Sequence, residues 1–409
     1  MGGVEVDDDV LIARAYLSRV VEAANVPVWA HVVDVGPVQA MHDIATGSAP
    51  KEVVRATAAR AGDVDPIADL ETAEHLGIRL VVPESDLWPH FAFAALEHAG
   101  TERWRRWRTG ESRRGSDSGE PVPPLALWVR GAATADLPML GLRSVGMVGS
   151  RAATQYGEHV TTELAYRLAR RDVAVISGGA YGIDAAAHRG ALAATGLTAL
   201  VTAGGLDRPY PPGNANLFER VVDAGLVLSE SPPGSTPQRQ RFLSRNRLIA
   251  ALSTGVVVTE AARRSGATNT AGHCKRLGRP LMAVPGPVTS AMSAGCHDLL
   301  RDEEYPALLV TSVEEVLAVV GGPGEGLPDG ARPEAGDLRD RLDGLAPTVR
   351  RVFEGLTTRR YSRPDEIAKR AGVPPLDVLR SLPSLELAGL AEASDGGYRV
   401  AEAKSKRAR

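Results

Sequence analysis

From Arg143 onward, short runs that are apolar throughout alternate with helix-length stretches. SVGMVGS enters a Gly-Ser turn ahead of a helical pattern at 158–170, and VAVISGG precedes another at 184–194. The order returns in LTALVTAGG, in LVLSE, in GVVVTEA before TNTAGHCKRLG, in PLMAVPG before AGCHDLLRD, and in ALLVT before SVEEVLAVV. Runs with no polar alternation suit strands covered on both faces, and strands separated by helices pair in parallel. The alternation lasts for about 180 residues and predicts an α/β fold on a doubly wound parallel sheet.

A chain of 409 residues exceeds what one core holds, so three domains are expected. Val10, Ala13, Leu17, Val21 and Ala24 recur at helical spacing behind an acidic first turn, and further helical patterns cover 37–44 and 51–60. They predict a small helical domain over 1–75, suited to docking or capping or to a weak nucleic-acid contact. The stretches 78–82 and 125–130 read as strands leading into the main unit. Between them RWRRWR, 103–108, interleaves two tryptophans with four arginines. That segment fits a surface helix with partly buried tryptophans, or a surface that stacks bases and holds phosphates. TGESRRGSDSGEPVPP then reads as a loop. Beyond a Gly- and Pro-rich linker at 321–336, helices are expected at 347–356, 364–370 and 376–387. Asp395-Gly396-Gly397 marks a hairpin, which completes a winged-helix pattern ahead of the basic tail AKSKRAR. The last of those helices carries Arg380 as its only cation, so a protein-docking role suits it better than base reading.

Glu5, Asp7, Asp8 and Asp9 have the wrong sign for a secretory leader, and no apolar run approaches the roughly 18 residues of a membrane span. A cytoplasmic protein is expected. Cys274 and Cys296 show no C-x-x-C spacing, so ordinary reduced thiols and no metal site are expected, despite the adjacent His273 and His297. The formal net charge is −3, yet 235–279 holds nine Lys and Arg residues against one acid, Glu260. Arg239, Arg241, Arg245 and Arg247 crowd the start of a predicted helix over 242–252, with Phe242, Leu248, Ile249 and Leu252 on its buryable face. Cations there oppose the helix macrodipole, so the arginines are expected to be displayed to an external polyanion.

Ligands of open parallel sheets bind beyond the carboxyl ends of the strands. Gly149-Ser150-Arg151, Ser177-Gly178-Gly179, Gly204-Gly205 and Ser229-Glu230-Ser231 follow four successive strands and predict a phosphate-binding rim. Neither G-x-x-x-x-G-K-[ST] nor G-x-G-x-x-G with its acidic partner occurs, so classical nucleotide chemistry has no fingerprint. Four residues are candidates for catalysis. Asp184 reads as a helix N-cap, or as a partner of His188 four positions on. Glu230 and Glu260 stand just past strand ends, where a general base would sit, but no nucleophile or metal cluster joins them.

VGSRAATQYG at 148–157, SGGAYGIDAAAHRGAL at 177–192, GLDRPYPPGNANL at 205–217, SESPPG at 229–234, FLSRNRLIAALS at 242–253 and VPGPVTSAMSAGCHDLLRD at 284–302 occur in order. Together they resemble the DprA/Smf family of bacterial DNA-processing proteins. The resemblance implies a helical, SAM-like domain over 1–75 and an extended Rossmann-like domain over 76–322 with its motif core at 140–320. A linker at 323–338, a winged helix over 339–401 and a tail at 402–409 complete the plan. It also implies a non-catalytic protein, without cofactor, that binds and protects single-stranded DNA, forms a homodimer and promotes loading of the RecA recombinase in natural transformation and homologous recombination. On this basis Arg151, Ser177, Gly178, Arg245, Asn246 and Arg247 line the DNA groove; the Gly-Ser rim and the basic stretch add Gly149, Ser150, Arg239, Arg241 and Lys275 to the expected DNA-binding residues, and Tyr181 joins them as a stacking face.

The chain departs from the family pattern in three places. Tyr181 replaces an arginine, which trades a phosphate contact for a stacking face. Ser-Gly-Ala-Thr-Asn-Thr-Ala at 265–271 replaces Ser-Gly-Ser-Leu-Ile-Thr-Ala, and Glu303-Glu304 replaces Gly-Ala. The alternative function is a Rossmann-like enzyme that binds or hydrolyses nucleotides. Those enzymes use a Pro-Gly-Gly-x-Gly-Thr motif with a following Glu, which this chain lacks.

Overall fold

The computed structural model describes residues 6–62, 64–109, 120–263, 265–321, 345, 347–358, 360–387, 390–394 and 396–401. The expected linker at 323–338, the tail at 402–409, the middle of the loop at 110–119, Glu5 and Asp395 lie outside the described residues. The chain divides into two compact units, Met1–Pro328 and Asp329–Arg409.

The first unit is built on β1 (Arg79–Val81), β2 (Leu127–Arg130), β3 (Ser144–Val148), β4 (Ala174–Ser177), β5 (Thr198–Val201), β6 (Leu226–Ser229), β7 (Gly255–Val258), β8 (Leu281–Ala283) and β9 (Leu308–Leu309). They form one sheet of nine strands in the order β1-β2-β6-β5-β4-β3-β7-β8-β9. All neighbours from β6 to β9 are parallel. The chain builds outward from β3 to β6 and then returns to place β7 on the other side of β3, so the direction of winding changes between β3 and β7.

The strand runs are apolar throughout because helices cover both faces. Val145, Met147, Val175 and Val257 point one way, against Leu164 and Leu168 of helix Gln155–Ala169 and Val316 and Leu317 of helix Val313–Val320. Their neighbours Val148, Ile176, Val256 and Val258 point the other way, against Leu248 and Ile249 of helix Arg239–Leu252, Ala271 of helix Gly266–Leu277 and Phe93 of helix His90–Arg108. Val313–Val320 opens with a reciprocal cap between Ser312 and Glu315.

The sheet is not wholly parallel. β2 joins β6 antiparallel, and β1 joins β2 antiparallel, so the two strands that precede Arg143 extend the expected parallel sheet by an antiparallel edge. Apolar content locates such strands but says nothing of their direction. Three helices also go beyond the sequence reading. Val26–Val35 looks strand-like in its valines, but the Asn25 side chain accepts the Val28 N–H at 3.1 Å and Pro27 sits in the first turn, as suits a helix start. Pro66–His75 is started in the same way by Asp65. His90–Arg108 runs for 19 residues, of which the sequence reading singled out the final RWRRWR. The N-terminal helices share the core of the sheet: Ala15 packs in one cluster with Trp128 and Phe218, and Trp128 Nε1 donates to Ser18 Oγ at 3.2 Å.

In the second unit, helices Pro347–Glu354, Pro364–Ala371 and Pro375–Leu387 gather Val352, Ile367, Val378, Leu382 and Leu385 into one core. β10 (Ala391–Ser394) and β11 (Gly397–Val400) form an antiparallel pair. Among the described residues, no helix is long and apolar enough to cross a membrane.

Candidate functional site

The carboxyl ends of β3 and β7 border the place where winding reverses, and the loop after β3 is held there by Glu260. Ser150 N–H donates to the Glu260 carbonyl at 2.7 Å. The Glu260 carboxylate accepts the Thr154 N–H at 2.8 Å and the Thr154 hydroxyl at 2.6 Å. Thr154 in turn accepts the Gly157 N–H at 3.2 Å and so caps helix Gln155–Ala169. Glu260 is 1% exposed, so it positions the loop and is not placed as a general base. Gly149 is close-packed for the same reason: a side chain there would come within 2.5 Å of Ile183 and 2.7 Å of the Glu260 carbonyl.

Arg245 and Arg247 are not displayed. They are 6% and 0% exposed, because residues 244–252 of their helix are buried on every side. Arg245 Nη1 donates to the Gly178 carbonyl at 2.8 Å and to the Val201 carbonyl. Arg247 Nη2 pairs with Glu230 Oε1 at 2.5 Å. Internal acceptors, rather than an outside anion, thus answer these two charges, which corrects the expectation for both; Glu230 is likewise committed to an ion pair. Burial pulls the Arg245 guanidinium down to about 10, Asp184 opposes the shift and Arg151 adds to it. Arg245 therefore remains a cation at neutral pH.

Gly178 is shaped by this arrangement. A Cβ there would lie 2.5 Å from Arg245 Nη1 and 2.7 Å from Asp184 Oδ2. Asp184 is not the N-cap of helix Ile183–Ala193, a place taken by Gly182; it accepts the Ala180 N–H at 3.3 Å. Burial raises its carboxyl above the ordinary value, against the pull of Arg245. His188 faces Thr198 instead of Asp184. Ser177 is buried, and its hydroxyl donates to the Met147 carbonyl at 2.5 Å, tying β4 to β3.

An open cleft of about 980 Å³ lies over this crossing and is lined by Gly149, Ser150, Arg151, Arg239, Arg245 and Asn246 of the predicted set. Arg151 and Arg239 are its exposed cations from that set. Asn246 Nδ2 donates to Asn269 Oδ1 at 3.0 Å, joining the two helices that flank the cleft.

Sequence reasoning missed the aromatic part. The Phe242 ring has Arg151 Cζ at 5.3 Å and Arg245 Cζ at 5.9 Å from its centroid, and the Tyr210 ring at 5.6 Å. Phe242 was assigned to a buried face, but it stands half-buried on the cleft wall with Tyr210. Both lie in motifs quoted above; the signal available was an aromatic one residue or a few from clustered cations. Arg263, Ser265 and Thr268 also line the cleft and were not singled out.

Six predicted residues are absent from the cleft lining: Ser177, Gly178 and Arg247, described above, and Tyr181, Lys275 and Arg241. Tyr181 is 46% exposed, and its hydroxyl accepts the Gly213 N–H at 3.3 Å. Lys275 is paired with Asp302. Arg241 pairs with Glu22 at 2.8 Å beside Arg60, in a separate cavity. Burial pushes Glu22 up, but the hydrogen bonds from Arg241 and Arg60 outweigh it and hold its carboxyl below the ordinary range. No group of His, Cys, Asp and Glu suited to a metal occurs among the described residues. Cys274 and Cys296 are free and buried, and burial pushes each thiol up to about 12.

Residues 118–321 match the family described as DNA recombination-mediator protein A. A DNA processing protein, DprA, of Mycobacterium tuberculosis is 46% identical over 392 residues, covering 96% of this chain and 94% of the relative. Protein Smf of Escherichia coli is 36% identical over 278 residues, covering 67% and 71%. The X-ray structure of DNA processing protein A (DprA) from Streptococcus pneumoniae superposes with a TM-score of 0.58 at 28% identity, covering 77% of this chain and 98% of that one.

Proposed function

We propose, since this chain belongs to the DprA/Smf family of DNA-processing proteins, that it is a non-catalytic single-stranded DNA-binding protein of the cytoplasm. In this reading it protects incoming or exposed strands and promotes loading of the RecA recombinase in natural transformation and homologous recombination, acting as a homodimer. Its domain plan is a helical domain over 1–75, an extended Rossmann-like doubly wound domain over 76–322, a linker at 323–338, a winged helix over 339–401 and a tail at 402–409.

The observation that carries the reading is the pairing, in one cleft, of the exposed cations Arg151 and Arg239 with the rings of Phe242 and Tyr210. Guanidiniums hold a phosphate backbone, while aromatic rings accept the faces of unpaired bases, which a duplex hides. Glu260 fixes the loop that carries Arg151, with Gly149 packed against Ile183 and the Glu260 carbonyl, so that guanidinium starts from a set position. Arg245 and Arg247 enter as residues that shape the crevice from below. The alternative, a Rossmann-like enzyme that binds or hydrolyses nucleotides, starts from the glycine-rich rim; its two candidate bases, Glu230 and Glu260, are engaged by Arg247 and by Thr154, which disfavours the hydrolytic form.

Anisotropy titration of labelled single- and double-stranded oligonucleotides tests the reading. With Arg151, Arg239 and Arg263 neutralising about three phosphates, single-strand affinity falls roughly tenfold to twentyfold between roughly 50 and 200 mM salt. The Arg151→Ala, Arg239→Ala double variant should lose most of that affinity. Equal affinity for duplex and single strand, or binding indifferent to salt, would refute the proposal.

A further inference from the structure

We propose that the far end of helix His90–Arg108 is a second single-stranded DNA contact, a platform that receives bases and phosphates beyond the cleft. The proposal rests on the single-strand reading above and adds a site to it.

The course of the helix puts this end on the relevant side. Arg279 Nη2 donates to the carbonyls of Ala92 and Ala251, each at 3.2 Å, so the first turn of His90–Arg108 lies beside the last turn of Arg239–Leu252. Further along, Gly100 closes on Trp29, whose ring would be 3.3 Å from a Cβ at that glycine. Trp29 lines the same cavity as Arg241, which belongs to the first turn of Arg239–Leu252. The two helices therefore run in opposite directions. The last turns of the longer one emerge toward the end where the arginines of the shorter one begin.

Those last turns have a composition that the core does not need. Trp104 and Trp107 stack with centroids 5.0 Å apart and 14° between their planes. Both are half-buried, whereas Trp88 and Trp128 are 2% and 0% exposed. Arg103 is tied to Glu120 at 2.8 Å and anchors the helix. Arg105 is paired with Glu102 on the surface, while Arg106 and Arg108 are exposed and have no ion pair among the described residues. Cations suit a helix C-terminus, which accounts for arginines here in general. That preference does not account for two stacked, near-parallel indoles left partly in solvent among them. The outer face of such a stack, flanked by guanidiniums, continues onto an unpaired base while the cations hold the connecting phosphates, without regard to sequence.

The test uses the full chain and thymidine oligonucleotides of about 10 and about 30 nucleotides, the shorter within the span of one binding groove. The Arg105→Ala, Arg106→Ala, Arg108→Ala variant is expected to bind the short strand like the wild type. For the long strand its logarithmic salt slope should fall by about two, and its affinity by roughly tenfold to a hundredfold. The Trp104→Ala, Trp107→Ala variant should lose the quenching of tryptophan fluorescence by the long strand. If the indole variant is misfolded, the arginine variant, altered only on the surface, decides. An unchanged slope and affinity for the long strand would overturn the platform, and so would equal loss of both strands. A wild type that binds neither strand would instead remove the single-strand reading itself.

Discussion

His188 makes a demanding prediction about stability against pH. It is fully buried, and its Nδ1 lies 2.8 Å from Thr198 Oγ1. The single hydroxyl proton of Thr198 goes to the Val175 carbonyl at 2.8 Å, so Thr198 accepts and His188 Nδ1 carries the proton. Nε2 is then bare, and it has no hydrogen-bond partner. Adding a proton there would place an unmatched cation in the core, within the field of Arg245. Burial first, and Arg245 second, push the imidazole down from 6.5 to about 3.

The sign follows from linkage: the unfolded chain takes up the proton at a higher pH than the folded one. The contribution of a neutral His188 is therefore complete above pH 6.5 and is lost as pH falls from there toward 3. Each pH unit in that window is worth about 1.4 kcal/mol, so acidifying from about pH 7.5 to about pH 5 removes about 2 kcal/mol through this residue. His188→Asn can keep a donor for Thr198 and cannot gain a charge. The stability gap between wild type and variant should narrow by about 2 kcal/mol over the same interval. Trp29, Trp88, Trp104, Trp107 and Trp128 all belong to the Met1–Pro328 unit, so tryptophan fluorescence in urea reports that unit alone. A gap that stays constant with pH would refute the argument.

Gly178→Ala should push the Arg245 guanidinium out of its seat and lower single-strand affinity about tenfold, one to two hydrogen bonds' worth, while circular dichroism stays native; unchanged binding would count against the placement of Arg245 under the cleft. Glu260→Gln removes a charged acceptor shared by two donors of Thr154, and should cost about 1.5–3 kcal/mol in urea unfolding. Cys274 and Cys296, with thiols pushed up to about 12, should resist alkylation at about pH 8 until the protein unfolds, as read by intact mass.

The strand ladder was legible because burial on both faces leaves a one-dimensional mark, a run without polar residues. The Gly-Ser turns that follow β3 and β4 were legible for a similar reason, since close backbone approach demands small residues wherever it occurs. The antiparallel edge was not, because direction is decided by where the chain has to travel and not by any residue in β1 or β2. The fate of the arginines was hidden more deeply. Arg245 and Arg247 look like surface cations to any local reading, and what buries them is the Gly178 and Val201 carbonyls and Glu230, contributed by other strand ends. Lys275 and Arg241 were withdrawn in the same way by Asp302 and Glu22. Phe242 erred in the opposite direction, because a helical wheel cannot tell a core face from a cleft wall.

The Arg247–Glu230 pair bears on how genetic data from such proteins are interpreted. Arg247 has no exposed surface and its partner lies just past β6. Removing one member of a buried pair leaves the other uncompensated, at about 3–5 kcal/mol. An allele altered at Arg247 would therefore lose activity as completely as one altered at Arg151, yet it would do so through the amount of folded protein in the cell. Steady-state abundance separates the two classes: low for the first, normal for the second. Within the arginine stretch, loss of function at Arg247 would thus report on architecture, whereas loss at the exposed Arg239 would report on the proposed contact.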